Sequence, residues 1–168
     1  MKPTPACSRL LIDAHNHLQD ERFGGHQARR IAEAQDVGVR WMVVNGSCEE
    51  DWPAVAALAD RFPGVIPSFG YHPWYIHQRS QHWLERLKEN LNHPRSVVGE
   101  IGLDRWKPGL AYEGQEEVFL AQMQLASEKD VAASLHCLKA WGRLHDLLRQ
   151  GPRPRRDRKS TRLNSSHT

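Results

Sequence analysis

The sequence predicts a parallel α/β fold, on three observations. Five short runs rich in β-branched residues recur every 24 to 35 residues. Segments with helical spacing lie between them. The runs are apolar throughout instead of alternating, the mark of strands buried on both faces. Five strand–helix units in succession fit either a doubly wound sheet or part of a barrel of about eight units. In both architectures the chemistry gathers at the C-terminal ends of the strands.

In chain order, the expected strands are Leu10 to Asp13, Trp41 to Val44, Val65 to Phe69, Ser96 to Glu100 and Val131 to Leu135. Most end in Gly, His or a carboxylate. Val55, Leu58, Ala59 and Phe62 then fall at i, i+3, i+4 and i+7, one face of a helix. Asp51, ahead of Trp52 and Pro53, starts that helix, since proline is tolerated in a first turn. Leu84, Leu87 and Leu91 make a second stripe, Val118, Ala121 and Leu125 a third. Trp141, Leu144, His145 and Leu148 make the last.

Composition narrows the class. A chain of 168 residues, 39% hydrophobic and 26% charged, is ordinary for a globular protein. No run nears the roughly 20 apolar residues of a membrane span, so no membrane partner is expected. Three scattered cysteines (Cys7, Cys48, Cys137) do not make a disulfide framework. The formal charge of +3 suggests nucleic-acid binding through a basic surface, but its distribution does not. Residues 151–168 carry six basic side chains against Asp157, whereas the first 150 residues carry a net −2. Three segments are therefore expected: an N-terminal extension over 1–8, a folded body over 9–151, and a disordered basic tail over 152–168. The stretch from Arg158 to Thr168 reads as translated adaptor or vector sequence.

Chemistry-bearing residues cluster at the ends of the runs. Asp13-Ala14-His15-Asn16-His17 closes the first, and i, i+2 spacing on a strand points His15 and His17 to one side, as in a divalent-metal chelate. Gly70-Tyr71-His72-Pro73-Trp74 follows the third, a tight turn presenting His72. Val98-Gly99-Glu100-Ile101-Gly102-Leu103-Asp104 supplies two acids, and a carboxylate at the end of an apolar strand calls for a partner such as a metal. Gly99 and Gly102 allow close backbone approach. Ser134-Leu135-His136-Cys137 places His136 in the same layer. Each motif alone also suits a turn, a cap or a core histidine. Trp74 and Trp106, just past strand ends, suit either core packing or stacking on a substrate. No glycine-rich phosphate loop or Gly-x-Ser-x-Gly elbow is present, so serine or cysteine nucleophiles have no support.

Taken together, Ile12 to Leu18, Gly70 to Pro73, Val98 to Asp104 and Leu135 to Cys137 resemble the TatD family of metal-dependent nucleases, in order and spacing. The resemblance implies a (β/α)8 TIM barrel of the metal-dependent hydrolase type, with about five of its eight units in this chain. It further implies two divalent metal ions (Mg, Mn or Zn). His15 and His17 would bind the first, Glu100 would bridge both as the catalytic carboxylate, and His136 would bind the second. His72 and Asp104 would lie in the substrate cleft. The implied partner is DNA or another phosphodiester, cleaved by a deoxyribonuclease mechanism.

The family's later His-x-Phe-Ser-Gly and Thr-Asp-x-Pro type motifs have no counterpart after Gly151. The expectation is therefore an incomplete form with weak or no activity and exposed strand edges that favour aggregation. Two other readings stand beside it. One is a different amidohydrolase-like enzyme acting on a cyclic amide or phosphate ester, where many relatives carry a lysine in place of Glu100. The other is a non-catalytic fragment whose histidines are structural. Met1 to Ser8 shows no secretory pattern, so a cytoplasmic location is the default.

Overall fold

A computed structural model describes residues 10–110 and 112–154. The expected extension over 1–8 and the tail beyond Pro154 lie outside the described residues. Strands β1 (Leu11–Asn16), β2 (Val39–Asn45), β3 (Val65–Phe69), β4 (Val97–Asp104) and β5 (Ala133–Leu138) alternate with helices. These are α1 (Gln27–Asp36), α2 (Trp52–Arg61), α3 (Trp83–Asn90), α4 (Tyr112–Lys129) and α5 (Trp141–Gln150). All neighbouring strands are parallel, in the order β1-β2-β3-β4-β5. A doubly wound sheet reverses its strand order at a switch point, and this one does not. Sequential order with a helix after every strand is the start of a barrel, and curvature confirms it. His15 on β1 reaches Ser134 on β5 with a hydrogen bond of 2.9 Å, although three strands separate them.

The core lies between sheet and helices. Val44, Val65, Phe69, Val98 and Ile101 from the strands are fully buried, packed with Val55, Leu87 and Ala126 from the helices. The expected stripes of α2 and α3 bury Val55, Ala59, Leu87 and Leu91. That of α5 is displaced: Trp141 is 48% exposed and His145 is exposed, while Leu144 and Leu147 face inward. Positions 141, 144, 145 and 148 and positions 144, 147, 148 and 151 satisfy the same helical period, and the more apolar set is the one buried. Beyond α5 the chain packs three residues further than the expected boundary. Ser127 Oγ donates to the Arg153 carbonyl at 3.0 Å, and Pro154 is buried.

Four strands run past their expected ends, β1 to Asn16 and β2 to Asn45 among them. β4 passes through Glu100 to Asp104 and β5 through Leu135 to Leu138, so Glu100 and His136 are strand-interior residues. Gly99 and Gly102 lie within the strand at φ +155° and +152°, where the chain approaches its neighbours closely. Gly102 pairs directly with His136. Among the described residues, β1 pairs only with β2, and β5 only with β4. Their outer sides leave Leu11, Ile12, Leu135 and Leu138 exposed, as expected of open edges. No helix among the described residues is long and apolar enough to cross a membrane.

Candidate metal centre

Glu100 is the hub. Its backbone N–H donates to the Gly46 carbonyl at 3.0 Å, holding β4 against the turn that follows β2. Its side chain is buried, and its two oxygens face different histidines. Oε2 lies 3.3 Å from His15 Nε2 and 3.3 Å from His17 Nε2; Oε1 lies 3.1 Å from His136 Nδ1. His72 stands further back, with Nε2 at 3.9 Å from Oε2. The expected residues thus converge in two groups that share Glu100: His15, His17 and Glu100, then His72, Glu100 and His136.

The first group fits a metal ion on geometry alone. His15 Nε2 and His17 Nε2 are themselves 3.3 Å apart, so three donors form a triangle of 3.3 Å sides. Donors about 2.0–2.2 Å from a tetrahedral ion stand about 3.3–3.6 Å from one another. The outer nitrogens support this. His17 Nδ1 contacts the Asn45 carbonyl at 2.8 Å; a carbonyl only accepts, so Nδ1 carries a hydrogen, and Nε2 is the nitrogen that would give up its proton to present a lone pair inward. His15 Nδ1 meets Ser134 Oγ at 2.9 Å. Partners of this kind fix the orientation of ligating imidazoles.

Asp104 takes a place the sequence did not reveal. It is fully buried, and one oxygen meets His136 Nε2 at 3.0 Å and the Trp74 indole N–H at 2.6 Å. The other accepts the backbone N–H groups of Trp106 and Lys107 at 2.8 and 3.0 Å. His136 is therefore gripped on both nitrogens, by Glu100 inside and Asp104 outside. His72 is buried too, and its Nδ1 accepts the Trp74 N–H at 3.2 Å.

Electrostatics follow from this packing. Burial alone would raise the Glu100 pKa, but hydrogen bonds from His136, His15 and His17 outweigh it and hold the carboxyl well below the ordinary range. The bond to Glu100 raises His17 against an opposing pull from burial. For His136, burial lowers the pKa, yet Glu100 and Asp104 together bring it above the usual value. Burial dominates at His72 and lowers it to about 4, leaving a neutral ring at pH 7. The centre thus offers one ionised carboxylate ringed by imidazoles, and a divalent cation would bind there by displacing the protons the rings share with Glu100.

Several supporting residues escaped the sequence reading. Gln115 and Gln122, two turns apart on α4 and both buried, hold the strand-end loops by their amides. Gln122 accepts the Tyr71 N–H at 2.6 Å, and Gln115 accepts the Asp104 N–H at 2.8 Å. Glu49 ties the same region together, accepting the Tyr71 hydroxyl at 2.6 Å and the Ser80 N–H and hydroxyl at 2.8 Å. Of these, only Ser134 had a legible signal, since it lies two residues before His136 on the same strand. A cavity of about 310 Å³ beside His17 is lined by Asp20, Arg22 and Phe23. The larger cavity, about 470 Å³, lies toward the opposite end of β4 and β5, against Val97, Val131 and Leu148, away from the histidine cluster.

Removing the Ser134 hydroxyl tests the orienting role. Ser134→Ala is expected to weaken divalent-metal binding by about 10–100-fold with the fold retained, and Ser134→Thr to restore most of it. Calorimetric titration with Mn²⁺ reads both, and unchanged affinity in Ser134→Ala would sink the idea.

Known proteins agree with the geometry. The chain is 31% identical over 150 residues to an uncharacterized metal-dependent hydrolase, YjjV, of Escherichia coli K12, covering 84% of this chain and 58% of that protein. It is 30% identical to the 3'-5' ssDNA/RNA exonuclease TatD of Pantoea vagans, over 82% of this chain and 54% of that one. The chain thus spans a little over half the length of these curated relatives. The crystal structure of the Escherichia coli YjjV, a TatD homolog, superposes with a TM-score of 0.77 at 28% identity, covering 83% of this chain and 55% of that one. A TatD family hydrolase of Entamoeba histolytica, 19% identical, shares the fold with a TM-score of 0.74. With the family model for TatD related DNase matching residues 12–157, the chain belongs to that family of metal-dependent hydrolases.

Proposed function

We propose that this chain carries the first five units, and their metal ligands, of a two-metal phosphodiesterase acting on nucleic acid. The observation that carries the reading is the shared carboxylate: each Glu100 oxygen faces a different set of imidazoles, at 3.1 to 3.3 Å. His15, His17 and Glu100 would hold one ion; Glu100 and His136, with His72 behind them, would hold the other. Bound there, divalent ions supply activation of water and neutralisation of phosphate charge. The chain's own residues do the rest. Asn45 and Ser134 orient the first pair of rings, Asp104 orients His136, and buried His72 adds a neutral ring close to Glu100.

The chain covers 54–58% of the curated relatives described above, and weak hydrolysis is proposed for it alone. The glutamate favours this reading over other amidohydrolase-like chemistry, because a carboxylate of depressed pKa bridges cations without losing a proton.

The test is calorimetry with Mn²⁺ or Zn²⁺ on the native chain, His15→Ala and Glu100→Ala, paired with hydrolysis of an end-labelled single-stranded oligonucleotide. Binding heats are expected in the native chain and their loss in both variants, with slow metal-dependent cleavage. Identical heats in all three would leave the histidines structural. Cleavage as fast as that of the full-length YjjV relative would remove the incomplete-form proposal.

A further inference from the structure

We propose that Trp106 and Lys107 form a nucleotide subsite at the rim of the metal centre. The indole stacks on a base of single-stranded nucleic acid and the ammonium meets an adjoining phosphate. The inference rests on the nucleic-acid reading above and adds to it the side chains that hold the strand.

Position comes first. Asp104 ends β4, and one of its oxygens accepts both the Trp106 and Lys107 N–H groups, at 2.8 and 3.0 Å. Its other oxygen lies 3.0 Å from His136 Nε2. A single buried carboxylate therefore fixes both a candidate metal ligand and the turn carrying Trp106 and Lys107. The turn is thus tied to His136 through one shared carboxylate.

Exposure comes second. Trp106 is 56% exposed. Leu11, Ile12, Leu135 and Leu138 are exposed because they belong to the open edge strands, an explanation that does not reach Trp106 in the loop after β4. Trp74, the other tryptophan after a strand end, is committed already. Its N–H goes to Asp104 and Lys107 Nζ sits 4.0 Å from its ring centroid. Of the two, Trp106 has a ring free to stack.

Charge comes third. Among the described residues, the Lys107 ammonium makes no ion pair with a carboxylate, whereas the neighbouring Arg105 leans over Tyr112 and pairs with Glu116 at 3.9 Å. An ammonium without a counter-ion beside an exposed indole suits a ligand that is both anionic and flat. Each unit of a nucleic-acid strand offers both, and its base must be unpaired to stack.

The experiment measures binding without cleavage, by fluorescence anisotropy of a labelled oligothymidylate and its abasic counterpart with the full chain in EDTA. Trp106→Ala is expected to weaken oligothymidylate binding by about tenfold or more and to leave the abasic strand unaffected. Trp106→Phe should recover most of the loss. Lys107→Ala should weaken both strands and reduce the slope of log affinity on log salt by about 0.7. Unchanged circular dichroism certifies the fold of each variant. If the native chain binds oligothymidylate and Trp106→Ala binds it equally, the subsite is wrong and the nucleic-acid reading stands. If the native chain binds neither strand at low salt, both fall.

Discussion

Glu100→Gln is expected to abolish divalent-metal binding with little effect on the fold. The substitution keeps the shape of the side chain and removes its charge. Three imidazoles converge on this carboxylate at 3.1 to 3.3 Å, and both of its oxygens are engaged. Their hydrogen bonds overcome the upward pull of burial and keep the carboxyl ionised throughout the neutral range. An amide offers a neutral oxygen on one side and an N–H on the other, so it cannot serve both groups. The loss in affinity should exceed the roughly 10–100-fold that removal of an outer partner costs. Calorimetry with Mn²⁺ measures it, and circular dichroism separates it from unfolding. A variant that binds Mn²⁺ as the native chain does would exclude Glu100 as a ligand.

Gly102→Ala should have the largest effect on stability. Gly102 lies in the middle of β4 at φ +152°, where L side chains are rarely found. An added Cβ would overlap the carbonyl oxygen of His136 and stand 2.8 and 3.0 Å from its carbonyl carbon and amide nitrogen. These are backbone atoms of the paired strand, so no rotamer change makes room. A cost of about 4 kcal/mol or more is expected, within the range that unfolds a domain of ordinary stability. Gly142, with nothing within 4 Å on helix α5, supplies the contrast: alanine there should stabilise by about 0.5–1 kcal/mol. Urea denaturation of the two variants reads both values. A native midpoint for Gly102→Ala would mean that β4 and β5 do not pair as described.

What the sequence made legible, and what it hid, follows from the range of the interactions. β3 from Val65 to Phe69 was readable as it stands, because a buried parallel strand announces itself by its own residues. β4 was cut short at Glu100, since only the pairing of Gly102 with His136 shows that the strand continues. The candidate ligands His15, His17, Glu100 and His136 were visible as motifs at strand ends. Their orienting partners were not. Ser134 matters to His15 only because the sheet curves enough to bring the first strand to the fifth. Asn45 matters through its carbonyl, a group every residue has. Asp104 was expected beside substrate, and its hydrogen bonds to His136 and Trp74 depend on a loop conformation that no local pattern encodes.

The contact between His15 and Ser134 joins residues 119 positions apart. Loop closure over such a distance is among the costliest a chain of this size can make, so the contact exists only when all five strands stand in order. A cation held by His15, His17 and Glu100 would tie the end of β1 to β4 and, through the His15–Ser134 bond, brace β5 as well. It binds the assembled sheet and not the unfolded chain, and shifts the folding equilibrium as a reversible staple whose strength grows with concentration. Melting curves recorded against Mn²⁺ concentration would then report how firmly β1 is held to β4, with the ion as the gauge.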